Sequence, residues 1–378
     1  QISARAATSA GFPVGDFFAG MRYDMRRGTN MRPVYRSISR TVDKFIVVYE
    51  GATKGRKRHS PASVDLSELN RPEYFESPEK FYNLGCDMPE LTITPEHVKA
   101  DVRVSRYSFK SETVSGHEEN DTVVGRIFRA RDDVHGKDAP CAIVIHGWRE
   151  SGAFASYYYL MCWLLARYGI NCVMYNQPYH GPRAPRGSHD GDLMMSADME
   201  QTVKAFRQSV CDVRSLLTWT SGNFSGPVGL VGLSLGGFIS LLTACADERP
   251  KFVIPVIAAG DLLENIDKSI VGDTIARDLK AAGISLETVE KNWRVITPCS
   301  FKPKVSPDNI YPIAGEFDMM IPIENVVSLQ RKWGIERARV MPCGHIAIGM
   351  FGRTLVNEIA DFIRDRCGLG NPAAADAK

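Results

Sequence analysis

Along the middle of this chain apolar residues recur in two ways, as short unbroken runs and as longer stretches in which they return every third or fourth position. The runs Ala142–Ile145, Cys172–Tyr175, Val228–Val231 and Phe252–Ala259 predict strands buried on both faces. Between them, Tyr157–Tyr168 predicts a helix, and Met199, Val203, Phe206, Val210, Val213 and Leu217 mark the apolar face of a longer one. Val102–Phe109 and Thr122–Phe128 alternate apolar and polar positions, which predicts two antiparallel edge strands ahead of the buried ones. The alternation of strand and helix defines an α/β protein with a mostly parallel sheet covered by helices on both faces.

After Ala259 the alternation stops. Leu262–Ile266, Ala276–Ala282 and Leu286–Val295 all read as helices, so residues 261–300 are expected to form a short cap, with a long crossover as the plainer alternative. Strand-like Asn309–Ala314 and Arg337–Pro342 follow, and an amphipathic helix closes the pattern.

Four places at the ends of these strands carry chemistry. Gly232-Leu233-Ser234-Leu235-Gly236 joins a strand to a helix and has the spacing of a nucleophile elbow, where a serine on a strained turn needs neighbours without side chains. His146-Gly147-Trp148 ends an earlier strand, where an oxyanion-hole loop is expected; the donors would be the amides of Trp148 and Leu235. His146 reads more readily as a brace for this loop than as a proton carrier. Asp318 lies just past a late strand, ahead of its rivals Glu316 and Asp261 as the carboxylate that orients a histidine. His345, in Cys343-Gly344-His345 before the last helix, is the candidate base. The order Ser234, Asp318, His345 is the order expected of an α/β-hydrolase.

From about residue 100 to residue 367 the chain therefore resembles the α/β-hydrolases, which implies an eight-stranded type of sheet. Asn176-Gln177-Pro178-Tyr179-His180-Gly181-Pro182-Arg183, Gly232–Gly237 and Cys343-Gly344-His345 are further similar to the abhydrolase-domain-containing-18 type of protein. That resemblance implies acyl-ester chemistry extending to lipids. The expected organisation is a basic N-terminal helical extension over 1–100, a catalytic domain over 101–367 with its cap at 261–300, and a disordered Ala-rich tail over 368–378.

The expected function is a serine hydrolase acting on a carboxylic ester, lipid and thioester included, through an acyl-enzyme and with no cofactor or metal. A peptidase or amidase on the same triad and a non-catalytic small-ligand-binding protein are the alternatives. Substrate contacts are expected from His146, Gly147, Tyr179, Arg183 and Met319. Arg183 and Arg186 fit either an anionic substrate group or neighbouring acids. Trp148, Phe154, Tyr157 and Met319 or Met320 are candidates for an apolar acyl pocket.

Charge and cysteine content narrow the setting. A net charge of +2 gives no reason to expect a nucleic-acid partner. Residues 1–60 carry twelve Lys or Arg against four Asp or Glu, a local +8, which leaves about −6 for the rest of a chain whose total is +2. The basic series Arg22, Arg26, Arg27, Arg32, Arg36 and Arg40, with Lys54-Gly55-Arg56-Lys57-Arg58, is read either as a peripheral membrane contact or as a solvated helix wrapping the domain in a homodimer contact. Nine cysteines without metal-like spacing fit a reducing, cytoplasmic compartment. No apolar run is long enough for a membrane span. The chain opens on Gln1 rather than Met, so a processed or cut N-terminus is expected.

Overall fold

The computed structural model describes residues 31–53, 65–83, 88–99, 101–130, 138–150 and 153–369. The basic cluster at Lys54–Arg58, the residues before 31 and the tail beyond 369 lie outside them. In chain order the main elements are α1 (Arg32–Thr53), β1 (Thr92–Lys99), β2 (Val102–Lys110), β3 (Thr122–Arg129), β4 (Cys141–Ile145), α2 (Ala153–Arg167), β5 (Asn171–Tyr175) and α3 (Met199–Asn223). They continue with β6 (Val228–Leu233), α4 (Leu235–Ala246), β7 (Val253–Val256), α5 (Leu262–Lys268), α6 (Ile270–Ala281) and α7 (Leu286–Trp293). The last four are β8 (Ile313–Gly315), α8 (Ile323–Trp333), β9 (Arg339–Met341) and α9 (Gly352–Arg366).

The strands form one sheet of nine in the order β1-β2-β3-β5-β4-β6-β7-β8-β9. Pairing is antiparallel as far as β3–β5 and parallel from β5–β4 to β8–β9. Every residue of β4, β5 and β6 is buried, which is why each reads as an unbroken apolar run. The pleat sends Cys141, Ile143 and Ile145 to the face covered by α3, α4 and α8, and Ala142 and Val144 to the face covered by α2 and α9. These strands belong to the α/β-hydrolase fold.

The sheet has a ninth strand ahead of those expected. Thr92–Lys99 pairs with β2 across a register shift between Pro95 and His97. Almost all of it is exposed and it carries a proline, so it has neither the burial nor the regular alternation that reveals a strand in sequence. Pro33 lies in the first turn of α1, where a missing N–H breaks no helical bond. The three helices expected between 261 and 300 are α5, α6 and α7. Trp293 Nε1 on α7 donates to Met199 O at 3.3 Å, and Ile270 N on α6 donates to Met319 O at 3.1 Å, so the block joins α3 to the loop after β8.

Candidate active site

Ser234 sits between β6 and α4 with φ 52° and ψ −119°, a conformation outside the ordinary regions for a residue with a side chain. Its amide donates to Val256 O at 2.8 Å, which holds the turn against β7. The turn is tight enough that a Cβ on Gly232 would come within 2.1 Å of Gly236 O, and one on Gly236 within 2.1 Å of Ile145 O. Those glycines let β6, the elbow and β4 close on one another.

Two loops bring the remaining groups to this serine. His345, after β9, places Nε2 2.9 Å from Ser234 Oγ and Nδ1 2.8 Å from Asp318 Oδ2. Asp318, after β8, accepts the Met320 and Ile321 amides through Oδ1, both at 2.8 Å, which leaves Oδ2 for the histidine. Asp318 and His345 are buried and Ser234 is half-buried. Burial pushes the His345 imidazole down, but the Asp318 charge and hydrogen bond, with the Asp43 and Glu150 charges, outweigh it and hold the ring above its ordinary value. The Cys343 thiol beside it is buried and pushed well up, so it is held in its unreactive form.

The loop after β4 faces the same serine. A Cβ on Gly147 would stand 3.3 Å from Ser234 Cβ and 2.6 Å from Glu150 Oε1. The Gly147 amide is shared by Glu150 Oε2 and the Tyr158 hydroxyl, both at 3.0 Å, and the Arg149 amide donates to His180 Nε2 at 3.1 Å. The Trp148 amide lies between these two engaged donors. Leu235 is the first residue of α4, where no intrahelical carbonyl exists for its N–H. Glu150 has its carboxyl against Gly147, and burial pushes it up to about 7 despite the Tyr158 hydroxyl and the Gly147 amide.

Several expected substrate contacts prove to be internal. His146 accepts the Gln177 amide on Nε2 at 3.0 Å and donates from Nδ1 to Gly147 O at 2.7 Å, so both ring nitrogens brace the loop. Burial holds this imidazole below its ordinary value. Arg183 is fully buried: it pairs with Asp212 at 2.9 Å and donates to Asn120 O, Asn176 O and the Tyr175 hydroxyl. No part of its guanidinium is left for a ligand. Tyr179 is buried with φ 63°, its amide tied to Asn120 Oδ1 at 2.9 Å. The segment they share supports the β4 loop instead, since Trp148 Nε1 donates to Gly191 O at 2.8 Å and Arg149 pairs with Asp192 at 2.9 Å. Arg186 is exposed, 3.7 Å from Glu119. Met319 is half-buried beside Asp318, with its amide and carbonyl both engaged. The side chain of Phe154 lies outside the described part.

Sequence reasoning missed Glu150, Tyr158 and Asp43. Asp43, on α1, accepts the Met319, His345 and Ile346 amides at 3.1–3.2 Å. Its signal was an acidic residue one turn beyond Ser39 on the same helical face. Among the described residues, no group of three or more His, Cys, Asp or Glu is placed to hold a metal.

The sheet order, the serine turn and the two loops at the strand ends define the class: the protein has the α/β-hydrolase fold. Within it, residues 138–264 match the family alpha/beta hydrolase domain containing 18, the segment that runs from β4 through the elbow to α5. An uncharacterized protein of Mycobacterium tuberculosis is 29% identical over 238 residues, 62% of this chain and 56% of its own length. This chain thus spans about half the length of that relative. Acetyl xylan esterase 1 from a Thermoanaerobacterium species superposes with a TM-score of 0.55 at 15% identity, over 79% of this chain and 98% of the esterase. The acylaminoacyl peptidase of Pyrococcus horikoshii gives 0.51 at 13% identity, over 72% of this chain and 41% of its own. At such identities the likeness is one of fold.

Proposed function

We propose that the protein is a serine hydrolase that cleaves a carboxylic ester through Ser234, His345 and Asp318. The observation that carries this reading is the continuous pair of hydrogen bonds from Ser234 Oγ to His345 Nε2 and from His345 Nδ1 to Asp318 Oδ2. Ser234 Oγ attacks the acyl carbon as its proton passes to His345 Nε2, and Asp318 stabilises the imidazolium. The Leu235 and Trp148 amides receive the oxyanion. His345 then returns the proton to the leaving alcohol, and water repeats the sequence on the acyl-enzyme to release the acid.

Trp148, Tyr157, Met319 and Met320 are half-buried and are the side chains proposed as the apolar wall for an acyl chain of moderate size. Helices α5–α7 are the cap of this site, and their bond to Met319 O supports that role. The eight described cysteines are free thiols, seven of them buried, which fits the reducing, cytoplasmic setting expected from the sequence. No helix among the described residues is long and apolar enough to cross a membrane.

A fluorophosphonate probe tests the reading. Wild type should be modified at Ser234, shown by mass spectrometry of the peptide, and Ser234→Ala should not. A panel of p-nitrophenyl esters and anilides then separates ester from amide cleavage. Folded wild type that neither reacts with the probe nor turns over any ester would overturn the proposal in favour of a binding protein.

A further inference from the structure

Helix α1 lies outside every hydrolase motif, yet one face of it is laid along the loops that hold Asp318 and His345. Arg32 donates from Nε to Glu316 at 3.0 Å, and Tyr35 meets the Phe351 ring edge-on at 6.3 Å between centroids. Ser39 and Asp43 follow at successive turns and both are buried. A Cβ on Gly344 would lie 2.8 Å from Ser39 Cβ and 2.8 Å from Asp43 Oδ2, so the glycine before His345 is where the helix and the base loop touch.

Asp43 has no exposed surface, and three main-chain donors meet its carboxylate, while burial and the neighbouring Asp318 charge hold it above the ordinary carboxylate range. Oδ2 accepts Met319 N at 3.2 Å and His345 N at 3.1 Å, and Oδ1 accepts Ile346 N at 3.1 Å. Met319 directly follows the triad acid, and His345 is the base itself. One carboxylate therefore fixes the spacing between two loops that come from different strands.

We infer that Asp43 is a positioning residue for the triad, clamping the acid loop to the base loop so that α1 forms a working part of the active site. This inference rests on the serine-hydrolase reading above. An imidazole that must meet both Ser234 and Asp318 tolerates little displacement, since small misplacements of a reacting group lower rates steeply. Asp43 also acts electrically. The charged groups that face His345 are Asp318 from the loop after β8, Asp43 from α1 and Glu150 from the loop after β4, and each favours the imidazolium. Asparagine at position 43 has the same shape, but it lacks the charge and keeps only one acceptor oxygen for three amides.

The test follows the rate of fluorophosphonate labelling of the full chain across pH, in wild type and Asp43→Asn, with thermal melting as the check on folding. The expected result is that folded Asp43→Asn labels at Ser234 at least about tenfold more slowly, with the acid limb of its rate profile moved to lower pH. A packing role alone would not move that limb. A folded variant that labels at the wild-type rate with an unmoved limb overturns the inference. Hydrogen exchange on the unmodified chain decides the matter even if the variant does not fold or the serine does not label. The Met319, His345 and Ile346 amides should open together with α1, which carries their acceptor. If they stay protected after α1 has exchanged, Asp43 does not hold them. Coupled exchange in a wild type that fails to label would count against the hydrolase reading and leave the clamp standing.

Discussion

Glu150 Oε2 takes the Gly147 amide at 3.0 Å, so the loop after β4 that faces Ser234 is held by a buried carboxyl. Burial raises that carboxyl from 4.5 to about 7. The folded protein thus binds a proton that the unfolded chain releases, and the stabilisation is complete below about pH 4.5 and lost as pH rises through about 7. Glutamine keeps an oxygen for Gly147 and cannot ionise. Glu150→Gln is expected to match wild type near pH 4 and to exceed it near pH 8 by on the order of 1–3 kcal/mol, read from chemical denaturation at each pH. Because the Glu150 charge also favours the His345 imidazolium, the acid limb of activity should move to lower pH in the same variant.

With His345 as the proposed base, its protonation state should set the pH dependence of the wild type. Its imidazole is held above its ordinary value of 6.5, and only the neutral ring can take the serine proton. Labelling and ester turnover should therefore rise as pH increases through a value above 6.5 and be lost on the acid side. Asp318→Asn removes the acceptor that fixes Nδ1–H and should lower kcat by roughly 10²- to 10⁴-fold with little change in KM. Steady-state rates on a p-nitrophenyl ester check both.

Much of this site was legible because its parts are local. Gly232 to Gly236 record in five residues a strand, a turn and a helix start, and the backbone of that turn excludes side chains. Asp318 and His345 each follow a strand and fall in the right chain order. What escaped is held by distant partners. Arg183 and Tyr179 looked like ligand contacts because a polar loop at a strand end is a reasonable place for them, while Asp212 on α3 and Asn120 before β3, which take those groups inward, cannot be matched to them by sequence. Asp43 and His345 are 302 positions apart. The exposed strand β1, with its proline and register shift, has no burial pattern to read.

Removing the charge of Arg183 should damage stability rather than recognition. Its guanidinium and the Asp212 carboxylate are both buried, and the loss of one leaves the other unpaired in a low-dielectric interior. Arg183→Leu should cost about 3–5 kcal/mol of stability, seen as a lower denaturation midpoint. Where the protein remains folded, KM should be close to wild type. A raised KM with unchanged stability would return Arg183 to the substrate site.

Gly344→Ala tests the contact between α1 and the base loop without altering any ionisable group. The added methyl would press on the Asp43 carboxylate and the Ser39 side chain, both on a helix whose far side is exposed. Helix α1 is then expected to move outward, which lengthens the bonds from Asp43 to Met319, His345 and Ile346. Labelling of Ser234 should slow by about tenfold while the acid limb stays near its wild-type position, because the Asp43 charge is retained. Protease susceptibility within α1 should rise in parallel. If neither labelling nor proteolysis changes, the contact of α1 with Gly344 does not set the position of His345.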